Sequence, residues 1–480
     1  MLRLKRIIAM VICTIFAITL CACGSGAGKN VASDSVKELT WFIRASEPEG
    51  FDEVLEAANV YLKDKMNIKL DLQCIEPGDY EQKAQLALAS GEQVDIMWTS
   101  NWANQYQPNV AKNAFLALDE YLENSELSEL KEYYSDGIWE ATRVAGKIYG
   151  VPVEQVLYDQ PGIMFSAAIA ERNNVTDAIY SMESIDDLEE IYSAVRAGES
   201  EDVVITANTY QHFKPYYSKV SGYYVENGEV VKDPFDELGY AKRMRSWNEM
   251  RFFPKDIATF TDEEAMIGEE KIFGSYDRYL PGVEGKNELY YGYDTICLPT
   301  GEAVLSREGV QSTLFALPMT CSDPVTALKF INLMLHDEYL LNLICYGIEG
   351  RDFTIIEGTN PKRMERDAGG YYIAEYVVGS QFLAYLSPEY DDGVWEETRK
   401  ANEEARVDDY IGFSFDPEPV ESEISQVSAA SREYTTILGY GLEADVESVY
   451  YEKEKKLDLA GRQVVIDEIN RQIKAWQDEQ

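Results

Sequence analysis

Apolar and polar residues alternate from Ile68 to Cys74, with Ile68, Leu70, Leu72 and Cys74 on one face and Lys69, Asp71 and Gln73 on the other. A period of two marks a strand with one buried face. The stretch before it keeps a different period. Phe51, Val54, Leu55, Ala58, Leu62 and Met66 recur at helical spacing, so a helix precedes that strand. Upstream again, Glu38–Arg44 reads as a first strand and Ser46-Glu-Pro-Glu49 as a capping box. Pro77-Gly78-Asp79 opens a second helix that Gly91 stops, and Val94–Trp98 is a short apolar strand. The run is β-α-β-α-β with short loops, which opens an α/β domain with parallel strands. Ligands in such sheets sit beyond the carboxyl ends of the strands. Here those ends are Arg44–Glu47 and Trp98–Trp102.

Further along, Lys147–Val153 is strand-like and begins a new α/β region, and Glu269–Tyr276 reads as another strand. Pro324–Leu343 is a helix with Ala327, Phe330, Ile331, Met334 and Leu335 on one face. The last helix aligns Ile466, Ile469, Ile473 and Trp476 on one stripe. A chain of 480 residues exceeds one core, so two or three domains are expected.

The N-terminus carries a pattern of another kind. Arg3, Lys5 and Arg6 precede an apolar run from Ile7 to Leu20. That run is short for a membrane span and suits a signal peptide. Ala22 before Cys23 fits a bacterial lipoprotein cleavage site, so residues 1–22 are read as the signal and Cys23 as the lipidated residue. Cys21 is the rival acceptor, but Leu20 before it is a poor cleavage residue. Residues 23–35, rich in Gly, Ala and Ser, then form a tether. An uncleaved anchor helix is the other reading, and both put the body outside the cell.

The formal net charge is -42, and removing the signal's three cations lowers it to -45. Such a surface repels nucleic-acid phosphates and anionic lipid, and keeps a protein dispersed. Cys74, Cys297, Cys321 and Cys345 remain in the body without C-x-x-C spacing. That spacing argues against a zinc cluster and leaves disulfides and free thiols both open. The only histidines are His212 and His336, the latter at a helix end. There is no G-x-S-x-G, H-E-x-x-H or P-loop motif. Acidic pairs such as Asp391-Asp392 read as solvated faces. No catalytic residue, cofactor or metal is therefore expected.

Several segments together resemble the extracellular solute-binding proteins of ABC importers, in the maltose-binding-like family 1 group. They are Val94–Trp98, Gly146–Pro152, Trp247–Asp256 and Tyr346–Arg351, with Cys23 ahead of them. The tail from Gly412 to Trp476 resembles a lipoprotein subgroup with a C-terminal domain of unknown function. The resemblance implies a two-lobe, periplasmic-binding-protein-like type II fold with hinge crossovers, one of them near Tyr149–Val153. It implies a first lobe of residues 36–150 plus 270–340 and a second of 151–269 plus 341–480. It also implies capture of a saccharide between the lobes and delivery to the transmembrane subunits of an ABC permease. The protein would be a monomer held at the outer face of the cytoplasmic membrane by lipid alone.

A sugar presents apolar C–H faces and many hydroxyls, so its site needs flat aromatic walls and fixed polar groups. Trp98 and Trp102 supply the walls at a strand end, although either could pack the lobe surface. Arg44 and Glu47 follow the first strand. Arg44 offers a fork of donors, while Glu47 also complements a helix N-terminus. Tyr276 and Arg278 follow the strand expected to return to the first lobe, and Tyr158 and Asp159 lie just past the crossover. Trp247, between Met244 and Met250, reads as core, and Trp395 has no assigned place. Arg44, Asp159 and Arg278 would serve a peptide or another charged solute equally well. A secreted glycan hydrolase and an adhesin without a transport role are the more distant alternatives.

Overall fold

The computed structural model describes residues 36–208, 213, 215–367 and 369–478. The leader, Cys23, the tether and His212 lie outside them. From Glu38 onward the chain forms one compact unit.

The predicted opening is realised. Strands Lys37–Arg44, Ile68–Ile75 and Ile96–Thr99 lie in one sheet, separated along the chain by helices Phe51–Met66 and Tyr80–Ser90. Trp41 is opposite Ile96 and Phe42 opposite Met97 in a parallel pair. Leu39, Trp41, Phe42 and Ile43 are all buried, because helices cover both faces of the sheet. Trp41 meets Phe315 and Phe330 edge-on, with ring centroids 5.5 and 5.4 Å away. Each such pair adds about 0.5–1.5 kcal/mol beyond area burial. Gly91 ends its helix in the left-handed region at φ 71, as expected. The expected capping box does not form. Gly50, at φ 82, precedes the helix without a side-chain cap, and the Ser46 hydroxyl donates to Glu76 at 2.7 Å instead.

Two short strands complete this sheet. Leu314–Ala316 runs antiparallel to both Ile96–Thr99 and Gly150–Pro152, with Phe315 between Trp98 and Val151. Gly150–Pro152, expected as a crossover, is thus an edge of the first sheet. The chain leaves it only after Val153.

A second core gathers Phe165, Tyr192, Trp247, Phe252 and Phe273 around a sheet of Gly274–Arg278, Pro161–Ser166 and Thr295–Pro299. Trp247 is fully buried against Tyr192 and Phe252, in line with its reading as core. Two stretches pack differently from the expected lobes. Gly274–Arg278 pairs along its whole length with Pro161–Ser166, so residues 272–297 join the second core. Helix Pro324–His336, helix Glu338–Tyr346 and the chain to Ala405 join the first. The helix expected over Pro324–Leu343 breaks at Asp337, whose carboxylate accepts from Leu340 N and caps the second helix.

Between the cores lies a sheet of three two-residue strands, Tyr158–Asp159, Val304–Leu305 and Arg406–Val407. Tyr158–Asp159 lies where the chain leaves the first core for the second, Val304–Leu305 where it returns, and Arg406–Val407 where it leaves the first core for the C-terminal helices. Beyond the third, helices Glu421–Gly439, Val446–Leu459 and Arg462–Asp478 pack on the Ser218–Val231 meander and on helix Glu237–Glu249. The stripe Ile466, Ile469, Ile473 is buried, with Trp476 against it.

The cysteines settle as free thiols. Burial pushes Cys74, Cys297 and Cys321 up to about 12, so they are protonated at neutral pH.

Candidate functional site

At the carboxyl end of the first sheet, Trp98 is still inside the strand and fully buried. It meets Tyr80 and Trp102 edge-on at 5.5 and 5.3 Å, and its carbonyl accepts from the Tyr80 hydroxyl at 2.7 Å. The chain then makes a tight loop. Ser100 Oγ accepts from Trp102 N at 3.2 Å and Ala103 N at 2.8 Å, and Asn104 Nδ2 donates back to Trp98 O at 2.9 Å. This fixed loop lifts Trp102 into solvent, where 51% of it is exposed. The indole Nε1 donates to Ser312 O at 3.0 Å. The Arg44 guanidinium lies 4.8 Å from the ring centroid, a cation–π contact. Arg44, Trp98 and Trp102 are therefore brought together, with Trp98 supporting and Trp102 presenting. Glu47 is exposed, and its charge is felt at Cys74 on the neighbouring strand.

The second group forms where the chain crosses. Arg278 Nη2 donates to the carbonyls of Tyr158 and, at 3.2 Å, Val156. Its Nε lies 3.6 Å from Asp159. Burial pulls the guanidinium pKa down, and Asp159, Tyr158 and Tyr276 pull it back up. Gly162 permits this closeness, since a Cβ there would sit 2.9 Å from Asp277 O and from Tyr279 Cβ. Tyr158 is buried. Tyr276 is 46% exposed, and its backbone N–H is fixed by Asn208 Oδ1 at 3.0 Å. The four residues predicted here do meet, with Arg278 binding the crossing segment and Tyr276 and Asp159 facing water.

One segment joins the two groups. Gln155 Nε2 lies 3.4 Å from Ser312 Oγ, on the residue that holds Trp102, while Val156 and Tyr158 are held by Arg278. Gln155 and Ser312 were not predicted, and neither was Tyr376. Tyr376 is 41% exposed and close enough to Arg44 for that cation to lower its pKa against burial. The density of tyrosine in Tyr371-Tyr372-Ile-Ala-Glu-Tyr376 was the available signal. Trp395 packs on Tyr390 and Phe382 and donates to Ala384 O at 2.9 Å.

The arrangement offers ring faces, a guanidinium, a carboxylate and backbone carbonyls. Groups of these kinds can bind a ligand by stacking and hydrogen bonding. Among the described residues no group of three or more His, Cys, Asp or Glu side chains could hold a metal ion, and no helix is long and apolar enough to cross a membrane.

The sequence profile of the bacterial extracellular solute-binding proteins matches residues 44–339, more than half of the chain. The chain belongs to that family. A domain of unknown function, DUF3502, matches residues 409–478, which hold the three C-terminal helices. A carbohydrate ABC transporter substrate-binding protein of Streptococcus pneumoniae serotype 4 is 25% identical over 95% of both chains. Among solved structures, the N-glycan transport solute-binding protein NgtS of Streptococcus pneumoniae superposes with a TM-score of 0.81 at 23% identity, over 92% of this chain and 98% of that one. Its complex with Man5GlcNAc superposes with a TM-score of 0.70 at 22% identity, over 92% and 99%. This solute-binding protein has the α/β fold of the type II periplasmic binding proteins, as expected.

Proposed function

We propose that this solute-binding protein captures an oligosaccharide outside the cell and hands it to the transmembrane subunits of an ABC permease, without chemistry. The observation that carries the reading is Trp102, half exposed at a strand end on a rigid loop, with Arg44 on its ring and Gln155 leading to the Tyr276–Arg278–Asp159 group. An exposed ring with polar groups at its rim suits the C–H face and hydroxyls of a sugar. The carbohydrate name of the 25%-identical relative supports the same class.

The two cores are read as lobes and the three crossing strands as their hinge. A ligand held by both lobes would then shift an open–closed equilibrium.

The test is a thermal-shift screen of the mature chain against mannose- and N-acetylglucosamine-containing oligosaccharides, with peptides as the contrast. At 100 times its dissociation constant a ligand should add about 2.7 kcal/mol of stability. Silence toward every saccharide, with a response to peptides, would overturn the substrate class. Release of a cleaved glycan during the incubation would mean a hydrolase instead.

We further propose that the protein is an anchored monomer, cut before Cys23 and lipidated there. Several acyl chains on one cysteine hold a protein stably where one chain does not. A Cys23→Ser variant should leave the membrane fraction; retention there would favour the uncleaved helix.

A further inference from the structure

Away from the strand-end site, the C-terminal helices, helix Glu237–Glu249 and the Ser218–Val231 meander line a half-open cavity of about 650 Å³. That volume is typical of a small-molecule pocket. None of the residues of the site described above lines it.

Its walls are aromatic. Tyr223, Tyr224, Phe235, Tyr434 and Tyr450 all contribute. Phe235 is fixed edge-on between Tyr224 and Tyr217, with centroids 4.9 and 5.3 Å away, so this corner is rigid.

Four of its seven charged side chains are paired with one another. Lys453, only 8% exposed, is held by Glu237. Arg462 is held by Glu454 at 2.8 Å and Asp458 at 2.5 Å, contacts that use three of its five N–H groups. An anion entering the cavity would meet Asp233, Glu237 and Glu454, and a cation would meet Lys232, Arg432, Lys453 and Arg462. A neutral ligand meets donors and acceptors without either repulsion. Ser431 and Thr435 add hydroxyls along one helix.

One buried group is unsatisfied. The Tyr223 hydroxyl has no hydrogen-bond partner, although Arg462 is near enough to lower its pKa against burial. Its oxygen has almost no exposed surface, so a ligand hydroxyl would satisfy it only once the Tyr223 ring turns toward the cavity.

We infer that this cavity is a second binding site, specific for a short neutral saccharide and separate from the strand-end site. Aromatic walls, paired charges of both signs and an orphan hydroxyl are together the complement of a polyhydroxylated ring with apolar C–H faces.

Saturation-transfer NMR on the mature chain tests it, with mannose, galactose, N-acetylglucosamine, cellobiose and chitobiose as probes. Trp102→Ala disables the strand-end site, Ser431→Trp fills the cavity, and Tyr223→Phe removes only the orphan hydroxyl. At least one probe should keep its signal in Trp102→Ala and lose at least fivefold in Ser431→Trp. Tyr223→Phe keeps the fold by circular dichroism and should weaken that same probe severalfold. The site is refuted if every signal disappears in Trp102→Ala, or if no probe signal depends on Tyr223. If the strand-end reading fails instead, Trp102→Ala changes nothing while the cavity variants still do, so the two failures are distinguishable.

Discussion

Trp98 and Trp102 sit four residues apart, one sealed between Tyr80 and the sheet and the other half in water. Truncating them should therefore separate stability from binding. Trp98→Ala empties a fully buried site and should cost about 3–5 kcal/mol in denaturant unfolding. Trp102→Ala should cost less than about 1 kcal/mol in the same measurement while weakening the glycan about tenfold in calorimetry. Equal losses of stability, or unchanged affinity for Trp102→Ala, would contradict the division. The sequence located this pair because the apolar run Val94–Trp98 ends where turn residues begin. It could not divide their roles, because only the Ser100 and Asn104 side-chain bonds decide which indole the loop turns outward. Glu47 was suggested by its closeness to Arg44 in the chain; it is exposed, and its charge is felt at Cys74 on the neighbouring strand.

At the scale of elements, the crossing sheet is built from only two residues per strand, so side chains must steady it. Arg278 is the clearest of these, donating to two carbonyls of the Val156–Tyr158 segment. Arg278→Leu would leave buried carbonyls unpaired and should lower stability by about 1–3 kcal/mol. Thermal denaturation checks this; an unchanged midpoint would mean that water replaces the guanidinium without loss. Long periodic elements, such as Phe51–Met66 and the Ile466–Ile473 stripe, were legible because their own spacing dictates the buried face. Strand partners were not. Glu269–Tyr276 reads as a strand from its composition, but nothing in a period of two says that it pairs with Pro161–Ser166 and not with the first sheet. The three-residue strands Leu314–Ala316 and Gly150–Pro152 are too short to show any period. Their place follows from tertiary pairing alone.

At the scale of the molecule, the proposed clamp predicts a change of size. Small-angle scattering of the mature chain should show a smaller radius of gyration when a saturating oligosaccharide is added. An unchanged curve at confirmed saturation would exclude closure about the crossing strands. The net charge of -42 works in the same direction as an open resting form, since like charges on the two bodies repel, and added salt weakens that repulsion.

The threading of the two cores also sets a timetable. All buried residues of the second core fall between Ile163 and Cys297, whereas the first draws on residues from Leu39 to Ala405. A chain delivered from its N-terminus can close the later-numbered core first. The earlier one waits, with Trp41 uncovered, until Phe315 and Phe330 have emerged. The interval of greatest exposure to aggregation, and of greatest need for a chaperone, thus belongs to the strands that are made first.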